Sequence, residues 1–322
     1  MQLDGVHARS LVSRHVNRVL AVLLAALALP AAAHAWGGSY PTGDALGTSV
    51  RIDVADSIPV DDALPQTWAA FFGKLVHGPE LASLHLELAP PAEVEQVCGA
   101  GALACYRRSD STIVASPDDQ PDEPSAQEVL IHEYGHHIAN NRDTAPWNAE
   151  DYGTKRWATY EHVCTRAENG TALPGDEGAD YSLNPGEAFA EAYRVLNLRQ
   201  EGVSPIAWDV VDPSFFPDAT ALSLLEEDVL DPWTGPSSSS ARGSFGNGAV
   251  RTFRFATPLD GDFLAHLVAP TKARMQLVLY LSGKPVAHGA TIRYRVCGER
   301  ALTLAVQRLH GGGRFTVYVS KP

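Results

Sequence analysis

The segment VLIHEYGHHIANN, residues 129–141, places three histidines and a glutamate within an apolar stretch of helical spacing. His132 and His136 are four residues apart, so on an α-helix both imidazoles face the same side and can reach one ion. Glu133 can contact a water molecule on that ion without binding the ion itself. This H-E-x-x-H pattern is typical of zinc metalloproteases. His137 points about 100° away from His136 and is predicted to be a bystander, hydrogen-bonded at the helix edge.

One catalytic zinc ion usually takes three protein ligands and leaves one position for water, so the pattern needs a third ligand. The metzincin continuation is absent, because Ala139 and Arg142 stand where that family has glycine and histidine. The one methionine after Met1 is Met275, near the end of the chain, so no Met-turn is available.

A second helical segment, NPGEAFAEAYR (residues 184–194), offers carboxylates. Glu187 and Glu191 are again four residues apart and share one face. We expect Glu187 to be the third ligand and Glu191 to hold a ligand imidazole from behind, with the exchange of these two roles left open. His162 is a weaker candidate ligand.

Capping signals and apolar periodicity predict the elements that carry these residues. Ser125 followed by Glu128 forms a capping box that starts the H-E-x-x-H helix, and Asn140–Asn141 is a suitable stop. Further segments have the periodicity of helices or strands. Helices are predicted at 63–76, 154–165, 187–198 and 220–230, and strands at 49–54, 82–88 and 111–116.

The ends of the chain have different compositions. Residues 1–35 have the layout of a signal peptide, with three arginines, an apolar run and a closing A-x-A, which we prefer to an N-terminal membrane anchor. Residues 36–48 are predicted to be a loop or short propeptide. Residues 36–233 would form the catalytic domain. The Gly/Ser/Pro-rich residues 234–246 are typical of a flexible linker, and the short β-type runs of residues 247–322 predict an antiparallel β-sandwich. The fold class is therefore α+β.

Export and charge limit the partners. The formal net charge of −13 makes nucleic acid an unsuitable partner, and no later apolar stretch is long enough to span a membrane, so we expect a secreted or periplasmic protein. The four cysteines then favour disulfides. We expect Cys98–Cys105 as a local bridge, which leaves Cys164–Cys297 by elimination. The oligomeric state is left open.

HEYGH with the downstream EAFAEAYR resembles the gluzincin metallopeptidases, nearest to the lethal-factor-like branch, over residues 110–200. This resemblance implies a zincin-like fold with Glu187 as the third ligand. It also implies a tyrosine that binds the oxyanion, for which Tyr181 is the candidate. By analogy with that fold, the edge strand for peptide docking would be STIVAS, with Thr112, Ile113, Val114 and Ala115. The last 75 or so residues, closing with GGRFTVYVS, are similar to the bacterial pre-peptidase C-terminal domain.

These observations predict a secreted zinc endopeptidase that hydrolyses protein or peptide substrates through a metal-activated water, with Glu133 as the general base. Two alternatives stay open. One is a zinc hydrolase that acts on cell-wall amide bonds, and the other is a catalytically silent zinc-bearing protein that attaches to a surface.

Overall fold

A computed structural model describes residues 35–206, 208, 210–298 and 300–322. The predicted signal peptide lies outside the described residues apart from Ala35. The fold class is α+β, as predicted. A first region of helices around a five-stranded sheet is followed by two four-stranded antiparallel sheets. None of the described helices is long and apolar enough to cross a membrane.

The first region, which we call the catalytic region after the role that the sequence predicts for it, contains seven strands and eight α-helices within the described residues. The strands are β1 (Ala35–Pro41), β2 (Ser49–Ala55), β3 (His85–Leu88), β4 (Ala104–Arg107), β5 (Thr112–Ala115), β6 (Asp143–Thr144) and β7 (Trp147–Asn148). The helices are α1 (Ala63–Phe72), α2 (Pro91–Cys98), α3 (Ala126–Asn140), α4 (Ala149–Tyr152), α5 (Lys155–Tyr160), α6 (Val163–Glu168), α7 (Pro185–Gln200) and α8 (Ala219–Leu230). Short 3₁₀ turns lie at Pro79–Ser83, Tyr181–Leu183 and Pro213–Phe215.

The five-stranded sheet has the order β1-β2-β3-β5-β4. Strands β2, β3 and β5 are parallel, whereas β4 is antiparallel to β5 and lies at the edge. The prediction that residues 112–115 form an edge strand for peptide docking is therefore wrong, because β5 is paired on both sides. Thr112, Ile113, Val114 and Ala115 are all buried between β3 and β4. An uninterrupted apolar run is typical of such a fully buried interior strand.

Helix α3 packs against strands β4 and β5 of the sheet on one side and against α7 on the other, around one apolar core. The capping box that starts α3 is present as predicted, because the Ser125 hydroxyl accepts from the Glu128 amide and the Glu128 carboxylate accepts from the Ser125 amide. The predicted helix 154–165 is instead two helices, α5 and α6, because His162 adopts a left-handed backbone conformation between them (φ 55°).

The second region, which we call the sandwich, has its own apolar core between two sheets of order β13-β10-β15-β8 and β12-β11-β14-β9. Inward and outward side chains alternate along the strands, as expected for packed antiparallel sheets. The strands are β8 (Ser237–Ser244), β9 (Val250–Thr257), β10 (Gly261–Val268), β11 (Arg274–Leu281), β12 (Lys284–Gly289), β13 (Thr291–Val296), β14 (Arg300–His310) and β15 (Arg314–Lys321).

Two segments predicted as irregular are strands. Residues 36–48 begin with β1, which pairs along its whole length with β2. The predicted linker 234–246 contains β8, which pairs with β15 from Ser237 to Ser244. Both are edge strands, whose ladder hydrogen bonds come from one neighbour and need no apolar side chains. Their Gly- and Ser-rich compositions therefore concealed them.

Both predicted disulfides are confirmed. Cys98–Cys105 closes a loop of the catalytic region, and Cys164–Cys297 joins α6 to the sandwich. The junction also contains a hydrogen bond from the Asp260 amide to the Thr159 hydroxyl (3.0 Å). Two disulfides indicate folding in an oxidising environment such as the extracellular space.

Candidate metal centre

The closest approach of α3 and α7 determines which side chains can meet. A Cβ atom added at Gly135 would lie 2.7 Å from the Cα of Ala190, so only glycine allows the helix axes to come this close. Glu187 lies almost one turn before Ala190, on the face of α7 that meets the two histidines. The glycine of HEYGH thus sets the helix spacing on which the cluster depends.

His132, His136 and Glu187 come together as predicted. The Glu187 Oε2 atom lies 3.2 Å from the His132 Nε2 atom and 3.5 Å from the His136 Nε2 atom. One ligand atom from each of the three residues lies within 4.8 Å of the others. All three side chains are largely buried. Two imidazole nitrogens and one carboxylate oxygen at this spacing can hold one metal ion.

The protonation states fit a cation site. Burial acts to raise the pKa of Glu187, but the two histidines lower it well below its ordinary value. Burial acts to lower the pKa of His136, but Glu187 raises it to about 9. Both shifts mean that the Glu187 carboxylate stabilises a proton on His136. A divalent ion can take the place of that proton with the same donor atoms, and two histidines with one carboxylate form a donor set that suits zinc.

Glu133 lies in the same cleft but outside the ligand set. It is 9% exposed, and burial raises its pKa while the charges of His136 and His132 oppose the rise. The backbone amide of Tyr106, on the edge strand β4, also favours its ionised form. A carboxylate with a raised pKa is better suited to proton transfer than an ordinary one.

Tyr181 lines the cleft from the 3₁₀ turn that precedes α7. Burial raises the pKa of Tyr181, and so does the negative charge of the neighbouring Glu187 carboxylate. The phenol is therefore a neutral donor at physiological pH, beside the metal ligands, as its predicted role requires.

The cleft is open to solvent, with a volume of about 390 Å³. Edge strand β4 forms one wall, and the loop before α7 forms the opposite wall. Besides the residues already discussed, Cys98, Ala102, Ala104, Cys105, Arg108, Glu150, Glu177 and Asn184 line it.

Glu191 does not hold a ligand imidazole, so this prediction is wrong. Its two carboxylate oxygens accept from the buried Arg194 guanidinium at 2.8 and 2.7 Å. The Nδ1 atom of His132 is buried and has no hydrogen-bond partner among the described residues. Glu191 lies one turn beyond Glu187, and a buried arginine is a stronger partner for a carboxylate than a neutral imidazole.

The other two histidines are not part of the cluster. His137 is fully buried rather than at the helix edge, with its Nε2 atom 2.9 Å from the Glu80 carbonyl oxygen and its Nδ1 atom 3.2 Å from the Tyr106 hydroxyl. It joins α3 to the 3₁₀ turn Pro79–Ser83 and to strand β4. His162 is exposed at the break between α5 and α6 and is excluded as a ligand to this cluster.

Sequence reasoning missed two aromatic residues at the site. The Trp208 ring lies 5.5 Å from the His132 ring and stacks over Arg194 at 4.1 Å. Tyr106 joins the edge strand to α3 through its hydrogen bonds with His137 and Asn140. Neither ACYR, which lacks an alternation of apolar and polar residues, nor the loop that contains Trp208 shows a pattern that could have revealed them.

No protein-family model matches the chain, and no curated protein matches it in sequence. Among solved structures, it is similar to an Aeromonas hydrophila periplasmic inhibitor of g-type lysozyme (10% identity, TM-score 0.23), over 27% of this chain and 89% of that one. It is also similar to the Yersinia pseudotuberculosis-derived mitogen (13% identity, TM-score 0.23), over 27% of this chain and 87% of that one. Likenesses at this TM-score do not bear on the function.

Proposed function

We propose that the protein is a secreted zinc endopeptidase of the gluzincin type, with a zincin-like catalytic region and a sandwich of the pre-peptidase C-terminal kind. The observation that carries the proposal is the convergence of His132, His136 and Glu187 on one point in a cleft that also holds Glu133. An ion-binding cluster alone would not need an unligated, buried carboxylate beside it.

Each residue has a separate task. His132, His136 and Glu187 hold the ion. When bound, zinc lowers the pKa of a water molecule to about 7 and polarises the scissile carbonyl. Glu133 accepts the proton from the attacking water and delivers it to the leaving amine. The Tyr181 hydroxyl donates a hydrogen bond to the negative charge that develops on the carbonyl oxygen of the scissile peptide bond.

Edge strand β4 would orient the substrate. Its outer edge carries no strand partner among the described residues, and it lines the cleft beside Glu133. An extended peptide can pair with such an edge through backbone hydrogen bonds. Residues Ala104–Arg107 thus replace residues 112–115 as the docking strand, and backbone pairing favours a polypeptide substrate over a small amide.

The test compares the wild-type chain with Glu133→Gln in zinc content and casein hydrolysis, before and after treatment with a chelator. We expect one zinc per chain in both proteins, activity that chelation removes and zinc restores, and a loss of about 10³-fold or more in Glu133→Gln. Glu95→Gln makes the same chemical change at an exposed position on α2 and should retain full activity.

Three results would contradict the proposal. Casein cleavage by Glu133→Gln at the wild-type rate would remove its role as the base. A wild-type protein that binds zinc but cleaves no member of a peptide library would be a silent binding protein. Cleavage of peptidoglycan without cleavage of casein would identify a cell-wall amide hydrolase.

A further inference from the structure

The two regions of the chain have opposite charges. Residues 36–233 contain ten Lys/Arg against thirty-four Asp/Glu, a formal charge of −24, whereas residues 234–322 contain twelve Lys/Arg against three Asp/Glu, a formal charge of +9. The overall charge of −13 conceals this difference. A basic domain attached to an acidic one indicates that the two have different partners.

Six of the twelve basic residues of the sandwich lie at one end. Strand register places the β8–β9, β10–β11 and β14–β15 loops together at this end. The loops touch: a Cβ atom at Gly311 would lie 2.8 Å from the Lys272 carbonyl oxygen, and the Arg308 guanidinium donates to the Gly246 carbonyl at 3.0 Å. We call this group of cations the distal basic end. It comprises Arg242, Arg251, Lys272, Arg274, Arg308 and Arg314.

The aspartates of the sandwich lie at the end opposite to the distal basic end. Residues 239–259, 263–298 and 300–322 contain no aspartate or glutamate, so the loops that form the distal basic end have none. Asp260 lies at the junction with the catalytic region, where its amide bonds Thr159. Asp262, near that same end, pairs with Arg293 and Arg295. The positive charge is therefore oriented away from the acidic catalytic region.

The cations of the distal basic end are available for a ligand. In the part of the chain that the structure describes, none of the six forms an ion pair with a carboxylate, and five of them are exposed. Arg251 and Arg308 donate to backbone carbonyls of the β8–β9 turn. Arg242 and Arg314 flank an open depression of about 760 Å³.

We propose that the distal basic end and the adjoining outer face of β15 and β8 bind a carboxylated or sulfated polysaccharide. From Arg314 and Arg242, outward side chains continue along the face as Thr316, Tyr318 and Ser240, by the register of β15 with β8. Tyr318 is 52% exposed. Arginines for acidic groups, hydroxyls for sugar hydroxyls and an aromatic face for a sugar ring together match an acidic glycan chain.

Other anionic partners fit less well. The loop tips FGNGA (245–249), APTKA (269–273) and GGG (311–313) carry no large apolar side chain except Phe245, which packs on Phe315. The exposed apolar residues nearby, Val250, Val268 and Leu309, lie on the strands rather than at the loop tips, so the tips themselves offer no large apolar side chain to a bilayer. A nucleic acid duplex would engage the arginines through its phosphates but would leave the exposed ring of Tyr318 without a partner.

The test measures binding of the full exported chain, residues 36–322, to immobilised alginate and dextran sulfate, with neutral dextran as the blank. The test variant is Arg242→Gln/Arg314→Gln. The matched control is Arg254→Gln/Lys284→Gln, which removes the same charge from exposed positions on the other sheet. We expect the wild type to bind both acidic polymers at low salt and to weaken at 0.5 M salt.

The test variant should lose affinity by about tenfold or more and the control by less than about threefold. Tyr318→Ala should weaken alginate binding while leaving the melting temperature unchanged. Equal weakening in test and control variants would assign the binding to net charge and overturn the proposal. So would the absence of binding to either polymer, or tighter binding to duplex DNA or anionic lipid vesicles. None of these readouts requires hydrolysis, so their failure is separable from failure of the peptidase proposal.

Discussion

The catalytic region and the sandwich treat polar groups in opposite ways. The core of the sandwich is apolar, and Thr257 and Asp260, near the junction, are its only buried polar residues among those described. The core of the catalytic region buries many charged or imidazole side chains, including Glu80, His132 and Arg194. Burying such groups costs free energy unless each has a partner. The catalytic region therefore depends on pairing between buried polar groups, whereas the sandwich does not.

Most buried charges of the catalytic region have a partner of opposite sign. Glu80 pairs with Arg142, and Glu191 pairs with Arg194. His132, His136 and Glu187 instead meet one another in a cleft open to solvent. The first two pairs therefore stabilise the fold, whereas the donor atoms of the three-residue cluster can bind a cation.

The largest stability effect should come from breaking one of the ion pairs. Glu191→Ala leaves the buried Arg194 with only the partly exposed Glu128 as a charged partner, which should lower the free energy of unfolding by about 3 kcal/mol. Urea unfolding of chelated samples, followed by tryptophan fluorescence, measures this loss. Zinc content should stay at one per chain, and loss of zinc would show that Glu191 supports the metal after all.

The sandwich should respond to a cavity without any effect on the site. Leu304 is fully buried, so Leu304→Ala should cost about 3 kcal/mol, measured by calorimetry. Leu309→Ala makes the same change on the same strand at a position 51% exposed and should cost less than about 0.5 kcal/mol. Casein turnover by folded Leu304→Ala should equal that of the wild type. A matching loss of turnover would mean that the regions are not functionally separate.

Tyr181→Phe tests the donor opposite the edge strand. Removing the hydroxyl should lower kcat by about 100-fold with little change in KM, because the hydrogen bond forms to the oxyanion rather than to the substrate. Tyr160→Phe, which removes a surface hydroxyl bonded to Asp218, is the control. A rise in KM at constant kcat would assign Tyr181 to substrate binding.

The smallest expected effect concerns a partly buried carboxylate outside the site. Burial raises the pKa of Glu161 from 4.5 to about 7. Between these values the folded chain holds a proton that the unfolded chain releases, so stability falls as the pH rises through this window. Glu161→Gln should therefore stabilise the protein by about 1 kcal/mol at pH 8, after allowance for solvent screening. It should have no effect at pH 4.5, and equal stabilisation at both values would rule out ionisation as the cause.

Local chemistry made part of this account predictable. The spacing of His132 and His136, the Ser125 cap and the carboxylate face of α7 are all consequences of helix periodicity, which a sequence displays directly. The interior place of β5, the Glu191–Arg194 pair and the stacking of Trp208 on His132 depend on strand order and packing between distant segments. Strands β1 and β8 were missed because neighbouring ladders, rather than their own residues, make them strands.

The central claim is that Glu187, and not Glu191, completes a metal site with His132 and His136. Its most direct test is the zinc stoichiometry of wild type, Glu187→Ala and Glu191→Ala after dialysis against a weak chelator. We predict one zinc per chain in the wild type and in Glu191→Ala, and none in Glu187→Ala. Retention of zinc by Glu187→Ala, with its loss from Glu191→Ala, would contradict it.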